Sequence, residues 1–219
     1  GYWKYPSATW ENRTNCWKRS GHGRMNVTSA ITNSCNTYFM EMGYRMGLDT
    51  LNEYYSAFGL GEPTGIEIGE NTGSQAVNEN GQDQAPWAAF GQANQEYTPL
   101  QLANYIATLV SGGKHCPAHL LKSVKSYDNS EIIATGSTEP LNTMNISDST
   151  LQAVKKGMLG YTTNGGSVAV PFRNCVVSAG AKTGTGAGGR LRAPAASGGS
   201  PARPGGHAAV GGAARRRTG

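Results

Sequence analysis

Two short groups of side chains in this 219-residue chain have types and spacings suited to chemistry. Ser34-Cys35-Asn36 sets a hydroxyl two residues from an amide. Lys182-Thr183-Gly184, 148 residues later, sets an amine beside a hydroxyl and a residue without a side chain. Serine and lysine build nucleophilic catalysis when the hydroxyl has a base within reach. Alone, each motif has a plainer reading: a helix-joint serine with an asparagine cap, and a strand that ends in a turn. The chain's single Ser-x-x-Lys is Ser111-Gly112-Gly113-Lys114. On a helix that spacing would put hydroxyl and amine on one face. Two adjacent glycines, however, cost a helix interior about 2 kcal/mol relative to alanines. They also follow a helical pattern that is already ending, so Ser111 is rejected as a nucleophile.

Other reactive residues fall into no comparable pattern. Cys16, Cys35, Cys116 and Cys175 are far apart and include no Cys-x-x-Cys pair, so they do not frame a disulfide-built fold. His115-Cys116 with His119 is a tighter group, but Pro117 interrupts it and no second ligand pair accompanies it. No metal and no cofactor are expected. Glu41 and Glu53 fall on helix faces and read as solvated. Cys35 reads as a small packed residue, since no basic partner is evident.

The elements that must position the two motifs follow from periodicity. Residues 1–25, rich in aromatics, glycine and charge, read as loop. A helical pattern starts at Asn26 (Val27, Ala30, Ile31), breaks at Asn33–Asn36, and resumes with Tyr38, Phe39, Met42 and Met46 up to Gly47. Asp49 then reads as the N-cap of a helix that turns Leu51, Tyr54, Tyr55 and Phe58 inward. Residues 61–95 form a long polar connection with short strands, a kind of loop that is commonly functional. Thr98-Pro99-Leu100-Gln101 is a capping box that opens a helix with Leu102, Ile106, Leu109 and Val110 on one face. Residues 115–136 read as a hairpin turning at Asp128-Asn129. Ser147 caps a helix through Leu151, Val154 and Met158 to Gly160, and Val176-Val177 opens the strand that reaches Lys182.

After Gly186 the composition breaks. Residues 187–219 hold nine Gly, nine Ala, six Arg and three Pro. Such a segment buries too little apolar surface to offset its ordering entropy, so it is expected to be disordered. Its residues are those of GC-rich codons, which suits an out-of-frame translation of a gene end. With those six arginines set aside, residues 1–186 carry 13 basic and 14 acidic groups. The body is therefore nearly neutral and shows no nucleic-acid footprint. No run of eighteen apolar residues exists to cross a bilayer.

The text around the motifs resembles one family. Ala30-Ile31-Thr32-Asn33-Ser34-Cys35-Asn36-Thr37-Tyr38-Phe39, then Phe58-Gly59-Leu60-Gly61 with Thr64-Gly65-Ile66, then Phe90-Gly91-Gln92 all belong to the pattern. Tyr97-Thr98-Pro99-Leu100-Gln101-Leu102-Ala103, and Gly112-Gly113 leading to Pro117 and His119, complete it. Together they resemble, in order, the transpeptidase domain of class B penicillin-binding proteins, within its elongation or sporulation branch. The resemblance covers about residues 1–186 and implies an α/β fold of the α+β kind, shared with serine β-lactamases: an antiparallel sheet flanked by helices. It implies acyl transfer on peptidoglycan stem peptides ending in D-Ala-D-Ala, with β-lactams as mimics, by a parent anchored in the cytoplasmic membrane and working on its outer face. Cell-wall synthesis proteins are the partners implied, and no nucleic acid.

Roles follow by the same resemblance. Ser34 would relay a proton between the family's catalytic lysine and the leaving amine, and Asn36 would present its amide to the substrate backbone. Lys182 would supply positive charge near the Ser34 hydroxyl and the substrate carboxylate. Thr183 would bind that carboxylate, and Gly184 would let the substrate lie against the strand. The backbone N–H of Thr185 would form half of the oxyanion hole. His22, in Gly21-His22-Gly23, implies a structural or substrate-contact role. The family's Ser-x-x-Lys nucleophile should lie further upstream of Ser34 than this sequence reaches, so no nucleophile is expected in the chain and it should not form an acyl-enzyme. The sheet should be incomplete, with an exposed edge at the Lys182 strand. Three alternatives compete: a serine β-lactamase or penicillin sensor, a non-catalytic interaction module, and nucleic-acid binding through the basic tail.

Overall fold

The computed structural model describes residues 1–8, 10, 13–79, 81–163 and 168–184, and the backbone of 209–212. In chain order its elements are β1 (Tyr2–Trp3), β2 (Thr14–Asn15), α1 (Val27–Thr32), α2 (Asn36–Met46), α3 (Leu48–Ala57), α4 (Ala85–Ala88) and α5 (Pro99–Val110). There follow β3 (Lys114–His115), β4 (Ser123–Lys125), β5 (Ile132–Thr135), β6 (Asn142–Thr143), α6 (Asp148–Thr162), α7 (Ala169–Phe172), β7 (Gly180–Thr183) and β8 (Ala209–Gly212).

Helix starts are set by side chains that accept orphan N–H groups. The Asn26 side chain accepts from the Ser29 N–H and opens α1. Thr98 and Gln101 cap α5 reciprocally, with Pro99 at its first position, and Ser147 accepts from the Thr150 N–H to open α6. Asp49 does not cap α3. Gly47, at φ 80°, is the single-residue joint between α2 and α3, so the helix begins at Leu48 and leaves Asp49 in its first turn. That left-handed conformation is cheap only for glycine. Tyr54, expected to face inward, is 54% exposed, while Leu48 and Leu51 are buried.

Among the described residues the apolar interior comes in three clusters. Leu48, Leu51, Ala76, Ala85 and Ala88 seal α3 against α4. Leu109, Leu151 and Met158 join α5 to α6, with Ile31, Phe58, Ile106 and Val154 around them. Cys16, Ala30 and Cys35 tie the N-terminal segment to the α1–α2 joint. The α1–α6 seam is close because it is built on glycine: a Cβ at Gly157 would lie 2.8 Å from that of Ile31. The Thr28 and Thr32 hydroxyls donate across it to the carbonyls of Ala153 and Gly157 at 3.0 and 3.1 Å.

Among the described residues the strands form four separate two-stranded antiparallel pairs, β1–β2, β3–β6, β4–β5 and β7–β8. The expected hairpin is β4–β5, with its turn at Asp128 and Asn129. β3 instead pairs with β6 beyond that hairpin. Val176 and Val177 lie outside β7, which starts at Gly180, and both are exposed. Of the segment expected to be disordered, only Ala209–Gly212 lies among the described residues. Its backbone pairs with β7, Lys182 opposite Val210 and Thr183 opposite Ala209, so that flank of the Lys182 strand is not an open edge.

Candidate active site

Ser34 occupies a strained turn. After α1, the Ser34 N–H donates to the Ile31 carbonyl at 3.1 Å and the Cys35 N–H to the Ala30 carbonyl at 3.0 Å. This pair of bonds is the Schellman closure, whose left-handed position ordinarily takes glycine. Ser34 adopts it at φ 49°. A non-glycine residue held there costs of order 1–3 kcal/mol and persists only where its surroundings enforce it. The enforcing group is Trp17, whose indole N–H donates to the carbonyls of Asn33 and Ser34 at 3.1 and 3.0 Å. Asn33 adds a bond from its side chain to the Ser29 carbonyl. The turn ends α1 and α2 starts at Asn36, so Ser34 and Asn36 stand half-buried at one helix joint.

Lys182 and Thr183 lie on β7, held by the last turn of α6. The Thr162 hydroxyl donates to the Ala179 carbonyl, and the Tyr161 and Thr183 hydroxyls lie 2.5 Å apart. Lys182 Nζ donates to the Thr183 carbonyl at 3.0 Å and sits 4.9 Å from the centre of the Tyr161 ring. Burial holds the Lys182 amine below the usual lysine range, because the charged form loses solvation there. No hydrogen bond joins Ser34 to Lys182 among the described residues. What connects their elements is α6, which binds Thr32 at Gly157 and Thr183 at Tyr161. Gly184 follows β7 with no atom close to where a Cβ would stand. Thr185 lies outside the described residues.

Behind Ser34 lies a group that sequence reasoning missed. The Cys16 and Cys35 thiols and a His22 ring nitrogen lie within 4.8 Å of one another, with Cys16 Sγ 3.6 Å from His22 Nδ1. His22 Nε2 is buried with no hydrogen-bond partner among the described residues. Burial pushes the imidazole below its ordinary range, so the ring is a neutral donor at pH 7. Two sulfurs and one imidazole are a donor set that suits zinc or another soft cation, given a fourth ligand. The His115 group does not converge in this way. His115 has both ring nitrogens engaged, by Asn104 and Asn142, and His119 Nδ1 bonds the Leu121 carbonyl.

The remaining candidates resolve simply. The Ser111 hydroxyl lies within bonding distance of both the Thr108 and Lys114 carbonyls at the end of α5 and gives its one hydrogen to this turn, which is a cap and not a nucleophile. Glu53 is exposed. Glu41 is not merely solvated: it accepts from Trp3 Nε1 at 2.8 Å and pairs with Arg45 at 2.7 Å. Those bonds, the Trp3 one first, hold its carboxyl below the usual range.

A strained serine turn and a half-buried strand lysine are thus braced on one helix. The model of the penicillin binding protein transpeptidase domain matches residues 1–194, and the chain belongs to that family. It is 37% identical over 135 residues to the peptidoglycan D,D-transpeptidase MrdA of Haemophilus influenzae, covering 57% of this chain and 20% of that protein. It is 40% identical over 103 residues to stage V sporulation protein D of Bacillus subtilis, covering 46% and 16%. Penicillin-binding protein 2B of Streptococcus pneumoniae R6 superposes with a TM-score of 0.71 at 24% identity, over 84% of this chain and 34% of that one, a likeness of fold. The resemblance to the elongation and sporulation branch is thus met, and the chain spans a minor part of each relative. Among the described residues no helix is long and apolar enough to cross a membrane.

Proposed function

We propose that this chain furnishes the second and third motifs of a peptidoglycan D,D-transpeptidase site. The site takes stem peptides ending in D-Ala-D-Ala, and β-lactams in their place, on the outer face of the cytoplasmic membrane. Ser34 relays the proton and Asn36 holds the substrate backbone. Lys182 contributes charge, Thr183 binds the terminal carboxylate, Gly184 leaves the strand open to the substrate, and the Thr185 N–H donates to the oxyanion. The observation that carries the reading is the strain at Ser34. A serine kept in a glycine position by a tryptophan clamp is a feature that stability alone does not favour.

Acyl transfer needs a hydroxyl with a base one helical turn away. The one Ser-x-x-Lys in the chain, at Ser111, has its hydroxyl hydrogen committed to the turn at the end of α5. The 219-residue chain therefore binds the D-Ala-D-Ala terminus without forming a covalent adduct. The test is incubation with a fluorescent penicillin, read on a denaturing gel, beside titration with N-acetyl-D-Ala-D-Ala followed by NMR. A covalent band would refute the non-acylating part. Shifts absent from Ser34, Asn36, Lys182 and Thr183 would refute the site.

A further inference from the structure

We propose that Tyr161 is a positioning residue for the third motif: its phenol fixes the Thr183 hydroxyl so that the threonine's own hydrogen is left for a ligand carboxylate. This rests on the reading of Thr183 as the carboxylate-binding residue. Tyr161 is 3% exposed in the last turn of α6, and a buried tyrosine hydroxyl needs a partner. Its partner is Thr183 Oγ1 at 2.5 Å. A phenol is a better hydrogen-bond donor than an alkyl alcohol, so in the proposed arrangement Tyr161 donates and Thr183 accepts. A hydroxyl that accepts from one side directs its own O–H elsewhere, and the accepted bond polarises the one it gives.

The neighbouring acceptor is already in use, because the Thr183 carbonyl takes Lys182 Nζ. The face of the Tyr161 ring lies under that same ammonium, where the ring quadrupole attracts a cation. One side chain thus touches both polar groups of the motif. It does so from the helix that grips Thr32, two residues before Ser34.

The experiment uses the 219-residue chain with Tyr161→Phe, which keeps the ring and removes the hydroxyl, and Tyr161→Leu, which removes both. Three-bond couplings at Thr183 should report one χ1 rotamer in the unsubstituted chain and averaging in Tyr161→Phe. Affinity for N-acetyl-D-Ala-D-Ala should fall about fivefold in Tyr161→Phe, the worth of one hydrogen bond, and further in Tyr161→Leu. In a cycle with Thr183→Val, the two losses should be less than additive. A lowered thermal midpoint with unchanged Thr183 couplings and unchanged affinity would mean a merely structural tyrosine and overturn the proposal. If the unsubstituted chain does not bind the peptide, the functional reading fails, and the couplings still decide on Tyr161. Should Tyr161→Phe not fold, the unsubstituted chain decides. A slowly exchanging phenol proton with an Overhauser effect to the Thr183 methyl supports the proposal, and a freely exchanging one overturns it.

Discussion

The Ser34 turn and the Lys182 strand are secured in opposite ways. Around Ser34 the bonds come from side chains and from the backbone of the turn itself: Trp17 to two carbonyls, Asn33 to Ser29, and the Schellman pair. Around Lys182 they rest on the last turn of α6 and on a partner strand of Ala-Val-Gly-Gly. A strained turn must be over-determined locally, because its surroundings offset the strain. A strand has no such need and takes its shape from what it lies against. The Lys182 strand should therefore open first, with faster amide exchange in β7 than in α1.

The largest effect should come from separating the two regions. Gly157→Val puts methyl groups where Ile31 already stands, and overpacking of this kind costs about 1–3 kcal/mol. Urea unfolding should show the loss at the upper end of that range, since the Thr28 and Thr32 bonds cross the same seam. A midpoint within error of the parent chain would show that α6 does not couple the motifs.

Smaller effects should sharpen the contrast at the turn. Ser34→Gly removes a side chain from a left-handed position and should stabilise the chain by about 1 kcal/mol, while Ser34→Ala should not. Trp17→Phe should destabilise by about 1 kcal/mol through the lost donor. With Ser34→Gly in the background, the Trp17→Phe loss should shrink, because less strain remains to be held. Simple additivity in denaturant titrations would mean that Trp17 does not defend the Ser34 conformation.

How much of this was readable beforehand differs in the same way. The caps at Thr98 and Ser147 were legible because their partners are three residues away. The break between α1 and α2 was legible as Asn33–Asn36, but the left-handed Ser34 was not, since only backbone geometry shows it. Trp17, Cys16 and His22 stayed hidden in a segment without period, whose side chains meet Cys35 and the Ser34 turn only after folding. Tyr161 was missed because Gly160 read as a helix end. Packed against Thr32, that glycine continues the helix for another two residues. At α3 the Asp49 cap failed because a glycine joint set the cap two residues earlier, at Gly47.

The smallest effect concerns the charge on the strand. Burial holds the Lys182 amine below its unfolded value of about 10.4, so between the two values the unfolded chain binds the extra proton. Stability then rises with pH across that window, and the charged amine in the folded chain is a liability below it. The buried tyrosines oppose this: burial raises Tyr55 to about 12, and Tyr97 and Tyr105 also move up. Each of these loses stability as the unfolded phenol ionises. The contribution of Lys182 must therefore be read as a difference. Lys182→Met should unfold at higher urea than the parent near pH 7, and the gap should narrow as pH rises toward 10. A gap that stays constant with pH would place the amine in solvent and return the Lys182 strand to an ordinary surface strand, unlike the turn at Ser34.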